Sequence, residues 1–221
     1  MPVLSGIGLQ FSRLNRDGVF MIEIEPIVTL HTDTVVRWHS QAIDNPYEGF
    51  LSLVCLQHSF NFRLWHEEDL ARCPNASDQQ IADVKRKIDK YNQQRNDCIE
   101  KLDDTIGDML QRHGVEDQAK APLNTETPGS ATDRLSILSL RIYHLEEQSL
   151  RQDASEEHLN TVSRRLAVCF AQQADLSKSL QQLLDDLFAG RKRHVTYRQL
   201  KMYNDPTFNP YLYKSKKRLA G

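Results

Sequence analysis

Residues 45–72, NPYEGFLSLVCLQHSFNFRLWHEEDLAR, decide the fold. Asn45 can cap a helix, Pro46 suits the first helical position, and Glu48 follows three residues after the cap. The row Leu51, Val54, His58, Asn61, Trp65, Asp69, Arg72 advances in steps of three and four. At ~100° per residue, all seven side chains fall within about a quarter of the helix circumference. Pro74 closes the run, because the residue before a proline disfavours the helical region. The spacing predicts one long helix over 46–72.

Three more long helices follow from the same signals. Ser77 with Gln80 forms a capping box for a helix over 79–112, striped by Ile81, Val84, Ile88, Tyr91, Arg95, Ile99, Leu102, Ile106 and Met109. Residues 114–131 carry Gly114, Pro122, Pro128 and Gly129 and read as a loop. Thr132 is the expected cap of a helix over 132–151. Asp153 with Glu156 is the expected cap of another over 154–189, stopped by Gly190. Its stripe is Leu159, Val162, Leu166, Cys169, Gln173, Leu176, Leu180, Leu184 and Leu187. Short connections within each pair favour antiparallel neighbours. The expected class is all-α, an antiparallel bundle of four long helices.

Outside the bundle, residues 27–39 read as a short amphipathic helix, and FMIEIE (20–25) alternates like a short strand. The expected organisation is an N-terminal extension over 1–25, one helical domain over 26–213 and a basic, loose tail over 214–221. Residues 197–213 are punctuated by Pro206 and Pro210 yet rich in aromatics, which disordered segments lack. They are expected to dock back across the bundle.

Composition narrows the function classes. The chain has 221 residues, 39% hydrophobic and 26% charged, ordinary values for a folded protein. It has no apolar run long enough to span a membrane, and its start lacks the pattern of a signal peptide, so a cytoplasmic protein is expected. Cys55, Cys73, Cys98 and Cys169 lie far apart with no CxxC pair and no Cys/His cluster in sequence. No metal site and no cofactor are therefore expected from spacing. The Glu-x-x-His pairs of a di-iron bundle are missing. Asp103, Asp104 and Asp108 read as a solvated acidic face rather than a magnesium site. No phosphate-cradling glycine loop and no Ser/His/Asp order stands out. Residues 191–221 hold nine Lys or Arg against one acid, Asp205, a formal +8. With −2 overall, the rest carries −10. The tail is either solvated, docked onto its own acidic body, or a contact for an anionic or protein partner. Nucleic acid is not an expected partner.

Polar residues interrupt every apolar stripe. An unpaired buried polar group costs on the order of 1–3 kcal/mol, so these positions need an account. One reading is a satisfied internal network, for example Arg95 with Asp69 or Asn61 with Gln173. The other is a ligand pocket between helices. In the second, His58 is the candidate acid or base. Arg72 and Arg95, with Arg141 as a further candidate, would clamp a carboxylate or phosphate. Asn61, Asn92 and Asn96 would orient the ligand, and Asp69 and His144 complete the lining. His66 projects about 100° away from Trp65, toward the surface. Two functions remain open: binding or transforming a small anionic metabolite, or a helical scaffold that binds a protein through its tail.

The stretch 45–72, followed by IADVKRKIDKYNQQRNDCIEKLD (81–103), resembles a bacterial family of unknown function, family 4254. The segments DRLSILSLRIYHLEEQ (133–148) and YRQLKMYND (197–205) resemble it too, so the likeness covers about residues 27–210. The resemblance implies a helical fold and a bacterial cytoplasmic protein, with some members tied to cell-envelope sugar assembly. It also implies recurrent polar positions, among them His58, Asn61, Trp65, His66, Asp69, Arg72, Asn92, Arg95, Asp133, Ser136 and His144. It supplies no activity.

Overall fold

The computed structural model describes residues 12–14, 20–115 and 119–218. A two-stranded antiparallel ribbon, β1 (Ser12–Leu14) and β2 (Phe20–Ile22), precedes the helices. These are α1 (Glu25–Trp38), α2 (Gly49–Ala71), α3 (Asp78–Arg112), α4 (Pro128–Ser149) and α5 (Glu156–Phe188). A single 3₁₀ turn (Met202–Asn204) and α6 (Pro210–Arg218) end the described chain. The protein is an all-α bundle, as the periodicity predicts. Among the described residues, no helix is long and apolar enough to cross a membrane.

The bundle is two hairpins, α2 with α3 and α4 with α5, closed by α1 against α4 and α2. Glu67 pairs with Lys87, and Phe60 meets Tyr91, so α2 and α3 run antiparallel. The core runs from Ile22, Ile27 and Leu30 through Val54, Leu102 and Ile106 to Leu135, Leu180 and Leu187. Gln181 of α5 ties the ribbon down, donating to the Ile22 carbonyl and accepting from the Ile24 amide. Cys55, Cys98 and Cys169 are buried and unpaired, as small core residues.

Local chemistry explains where the helix starts differ from expectation. Asn45 does not cap α2. Its Oδ1 accepts from the Tyr47 amide and its Nδ2 donates to Ser52, so it is spent on a turn. Glu48 is extended, and α2 begins at Gly49, whose φ of +56° suits glycine. Ser77 and Gln80 form the full capping box of α3. Helix α4 starts four residues before the expected Thr132, because Thr127 caps the Ser130 amide and Pro128 takes the first turn. Gly129 is helical, not a loop residue. Its amide donates to the buried Asp103 at 2.7 Å, and a Cβ there would stand 2.6 Å from the Ile99 carbonyl oxygen. Ser155, rather than Asp153, caps α5, and Asp153 pairs with Arg151 instead.

The end of the chain docks by charge, not by apolar burial. His194 donates to the Asp103 carbonyl at 2.7 Å. Arg198 forks onto Asp104 at 2.8 Å and reaches Glu100, whose carboxylate also accepts from the Gln199 amide. The Arg198 guanidinium holds the Asp104 carboxyl below its ordinary range. Beyond Gln199 the expected burial fails: Leu200 is 85% exposed, Tyr203 64%, Phe208 60% and Tyr211 88%. Residues 214–218, expected to be loose, belong to α6; residues 219–221 lie outside the described residues. Truncation after Gln199 is therefore expected to change stability by no more than about 0.5 kcal/mol. Truncation after Gly190 should cost more, and urea melts of both forms check the difference.

Candidate functional site

The inward row of α2 divides in two along its length. Its first half, through His58, enters the core. Its second half borders an open cleft of about 350 Å³ between α2, α3 and α4. Asn61, Trp65, Asp69 and Arg72 line it from α2, Asn92 and Arg95 from α3, and Ile137 and Leu140 from α4. The volume lies at the lower end of the range for small-molecule sites.

Asp133, near the start of α4, organises one wall. Arg95 donates to it through Nε at 2.7 Å and through Nη2, a bidentate pair. Gln57 and Asn61 donate to its Oδ1 at 2.5 and 2.9 Å. The partner of Arg95 is thus Asp133, not Asp69. Asn61 also donates to Ser136 rather than meeting Gln173, which donates to Ser139. The Asp133 carboxylate raises the Arg95 guanidinium further above its ordinary value. Arg95 is therefore largely neutralised, and its Nη1 makes no bond among the described residues. Arg72 uses Nη1 on Glu68, and its Nε and Nη2 have no partner among the described residues. Among the described residues the Asn92 amide has no hydrogen-bond partner. The paired-network reading holds under the cleft, and the polar groups without a bond among the described residues lie on it.

His58 is not in the cleft, which corrects its expected role as acid or base. It is fully buried. Its Nδ1 meets the Ser136 hydroxyl at 2.7 Å, and its ring lies between His31 and Trp38 at 4.7 and 5.2 Å. Burial, then the neighbouring His31, holds its pKa well below the ordinary value, opposed weakly by the His31 backbone carbonyl. Its ring is shut off from solvent and lies outside the lining of the cleft. Asn96 does not line the cleft either. Arg141 lines a separate groove between α4 and α5, with Arg164, Arg165 and Val168.

His144 lies at the far side of Trp65, with the two rings stacked 4.8 Å apart, 9° from parallel. There it meets His39, at the end of α1, and His66 of α2, the residue expected at the surface. One ring nitrogen from each of the three lies within 4.8 Å of the others. His39 Nδ1 contacts the Val35 carbonyl at 2.6 Å, and His144 Nδ1 contacts the Glu147 carboxylate at 2.8 Å. The Nε2 atoms of both are buried without a partner, a cost of roughly 1–3 kcal/mol each. Burial, then His39 and His144, lowers the His66 pKa. The sequence hides this cluster because its members come from three helices and share no short spacing. The one available signal is that His66 follows Trp65, directly beside the polar row.

No curated protein and no solved structure matches the chain. One family model does, over residues 51–196, described as Protein of unknown function (DUF4254). That stretch holds all but the first two residues of α2, the whole of α3 to α5, and every residue of the cleft. On this match the chain belongs to the DUF4254 family.

Proposed function

We propose that the protein binds a small, hydroxyl-rich anionic metabolite in the α2–α3–α4 cleft, of the sugar phosphate or nucleotide sugar class. The carrying observation is the set of unpaired polar groups on one open wall. Arg72 offers two donor nitrogens to the anionic group. Arg95 Nη1 and the Asn92 amide donate to hydroxyls, Asp69 accepts from them, and Trp65, Ile137 and Leu140 supply an apolar floor. A setting in the bacterial cytoplasm, in cell-envelope glycan assembly, fits that ligand class and belongs to the same proposal. A thermal-shift screen against sugar phosphates and nucleotide sugars tests it. A ligand at a hundredfold its Kd should stabilise by about 2.7 kcal/mol, a rise of roughly 5–10 °C for a chain of this size. Asn92→Leu should abolish the shift without lowering the unliganded Tm, because Asn92 makes no hydrogen bond among the described residues. Loss of the shift in Arg141→Ala instead would move the site to the α4–α5 groove, and no shift with any compound would reject it.

A second reading, a scaffold that binds a protein partner, is favoured by one observation. Leu200, Met202, Tyr203, Phe208 and Tyr211 stand more than half exposed on the basic C-terminal segment. Contiguous exposed apolar surface often marks a contact surface. If this reading holds, truncation after Gln199 abolishes partner capture and leaves metabolite binding intact.

A further inference from the structure

We propose that His39, His66 and His144 form a binding site for a divalent transition metal of the zinc class. Three imidazoles from α1, α2 and α4 each bring a ring nitrogen within 4.8 Å of the other two. A tetrahedral ion with nitrogens at about 2.0–2.1 Å needs them about 3.3–3.4 Å apart. Closing on an ion takes a shift of about an ångström at each ring, within the reach of small side-chain rotations. The three ring planes stand at 72°, 75° and 78° to one another. Mutually steep rings let their in-plane lone pairs converge on one point.

The protonation pattern supports the same conclusion. A carbonyl accepts only, so the His39 Nδ1 against Val35 carries the proton, and its Nε2 presents a lone pair. The Glu147 carboxylate does the same for His144. A ligating histidine is held in this way by an outer partner on its other nitrogen. Both Nε2 atoms are buried and unpartnered, which a metal would resolve. Among the described residues His66 makes no hydrogen bond, so only its edge-on packing against Phe62, His39 and His144 holds the ring as it turns toward the ion. An all-nitrogen set without thiolate suits zinc, copper, nickel or iron rather than calcium or magnesium. Three protein ligands leave a fourth position for water or a bound ligand, the pattern of reactive rather than structural zinc. Phe62 and Tyr143 pack on the rings and limit solvent. Trp65 touches His144 and lines the cleft, so the ion would sit one ring away from it. The proposal does not rest on what the cleft binds, since metal binding is read with the cleft empty.

The test is titration of the untagged, chelator-stripped full chain with Co²⁺, followed by visible absorption, and then displacement by Zn²⁺. The expected result is one equivalent bound with the intense bands of four-coordinate cobalt, lost on adding Zn²⁺. His66→Ala and His144→Ala should abolish these bands while far-ultraviolet circular dichroism stays unchanged. His113→Ala, at the exposed end of α3, should retain them. Glu147→Gln should weaken binding by about 10–100-fold, as loss of an outer partner does. His66→Ala keeps the test decisive should a variant at His39 or His144 fail to fold. Absence of stoichiometric binding, or binding that persists unchanged in His66→Ala, would overturn the proposal.

Discussion

Replacing Arg95 by methionine is expected to destabilise the protein by about 3–5 kcal/mol. The side chain of Asp133 is only 6% exposed, and among the described residues Arg95 is the one cation bonded to it. Methionine fills much of the arginine volume but strands that carboxylate, leaving it only the amides of Gln57 and Asn61. Removing one member of a buried pair is far more damaging than replacing both, because the remaining charge has lost its compensation. The double variant Arg95→Met with Asp133→Leu should therefore recover most of the loss. Urea melts of the single and double variants measure this directly. A single variant as stable as the parent would mean that Arg95 is held mainly for a ligand.

Acid should unfold the protein through its buried histidines. His31 is fully buried, neither ring nitrogen has a hydrogen-bond partner, and burial lowers its pKa from 6.5 to about 3. His58, beside it, is depressed in the same direction. Between pH 6.5 and 3 the unfolded chain binds a proton at His31 and the folded chain does not. The stability contributed by the neutral folded form is complete above pH 6.5. It falls with pH by about 1.4 kcal/mol per unit for such a histidine. From pH 6.5 to 5, His31 alone should cost about 2 kcal/mol, and His58 adds to it. Urea midpoints at the two pH values, with chelator present, give the loss. In His31→Leu that loss should shrink by about the His31 share. A loss of the same size in that variant would show that other groups carry the acid sensitivity.

The helices were legible because their signals are local. A capping box at Ser77 or a stripe such as Ile81, Val84, Ile88 needs nothing beyond its own few turns. Local signals also compete, and some starts moved for that reason. Asn45 has a nearer use in its own turn, and Thr127-Pro128 outranks Thr132 as a start. The polar row of α2 was legible as a direction. Asn61, Asp69 and Arg72 do reach the cleft with Asn92 and Arg95. His58 shares their phase yet is buried, because helical phase gives the side of a helix and not the depth at which a neighbour covers it. The C-terminal aromatics misled for a related reason. Composition records an apolar side chain, not whether a surface is present to receive it.

The sequence by itself determined the bundle, its four long helices and the polar row that borders the cleft, since these follow from periodicity and caps within single segments. Only the tertiary structure decided which charges pair and which histidines meet. Asp133 lies 38 residues from Arg95 in the chain and 72 from Asn61. His39, His66 and His144 sit on three separate helices, and each is unremarkable in its own segment. Pairing across a bundle depends on the depth and axial register at which helices pack. Those are set by how all the side chains of the core fit together at once.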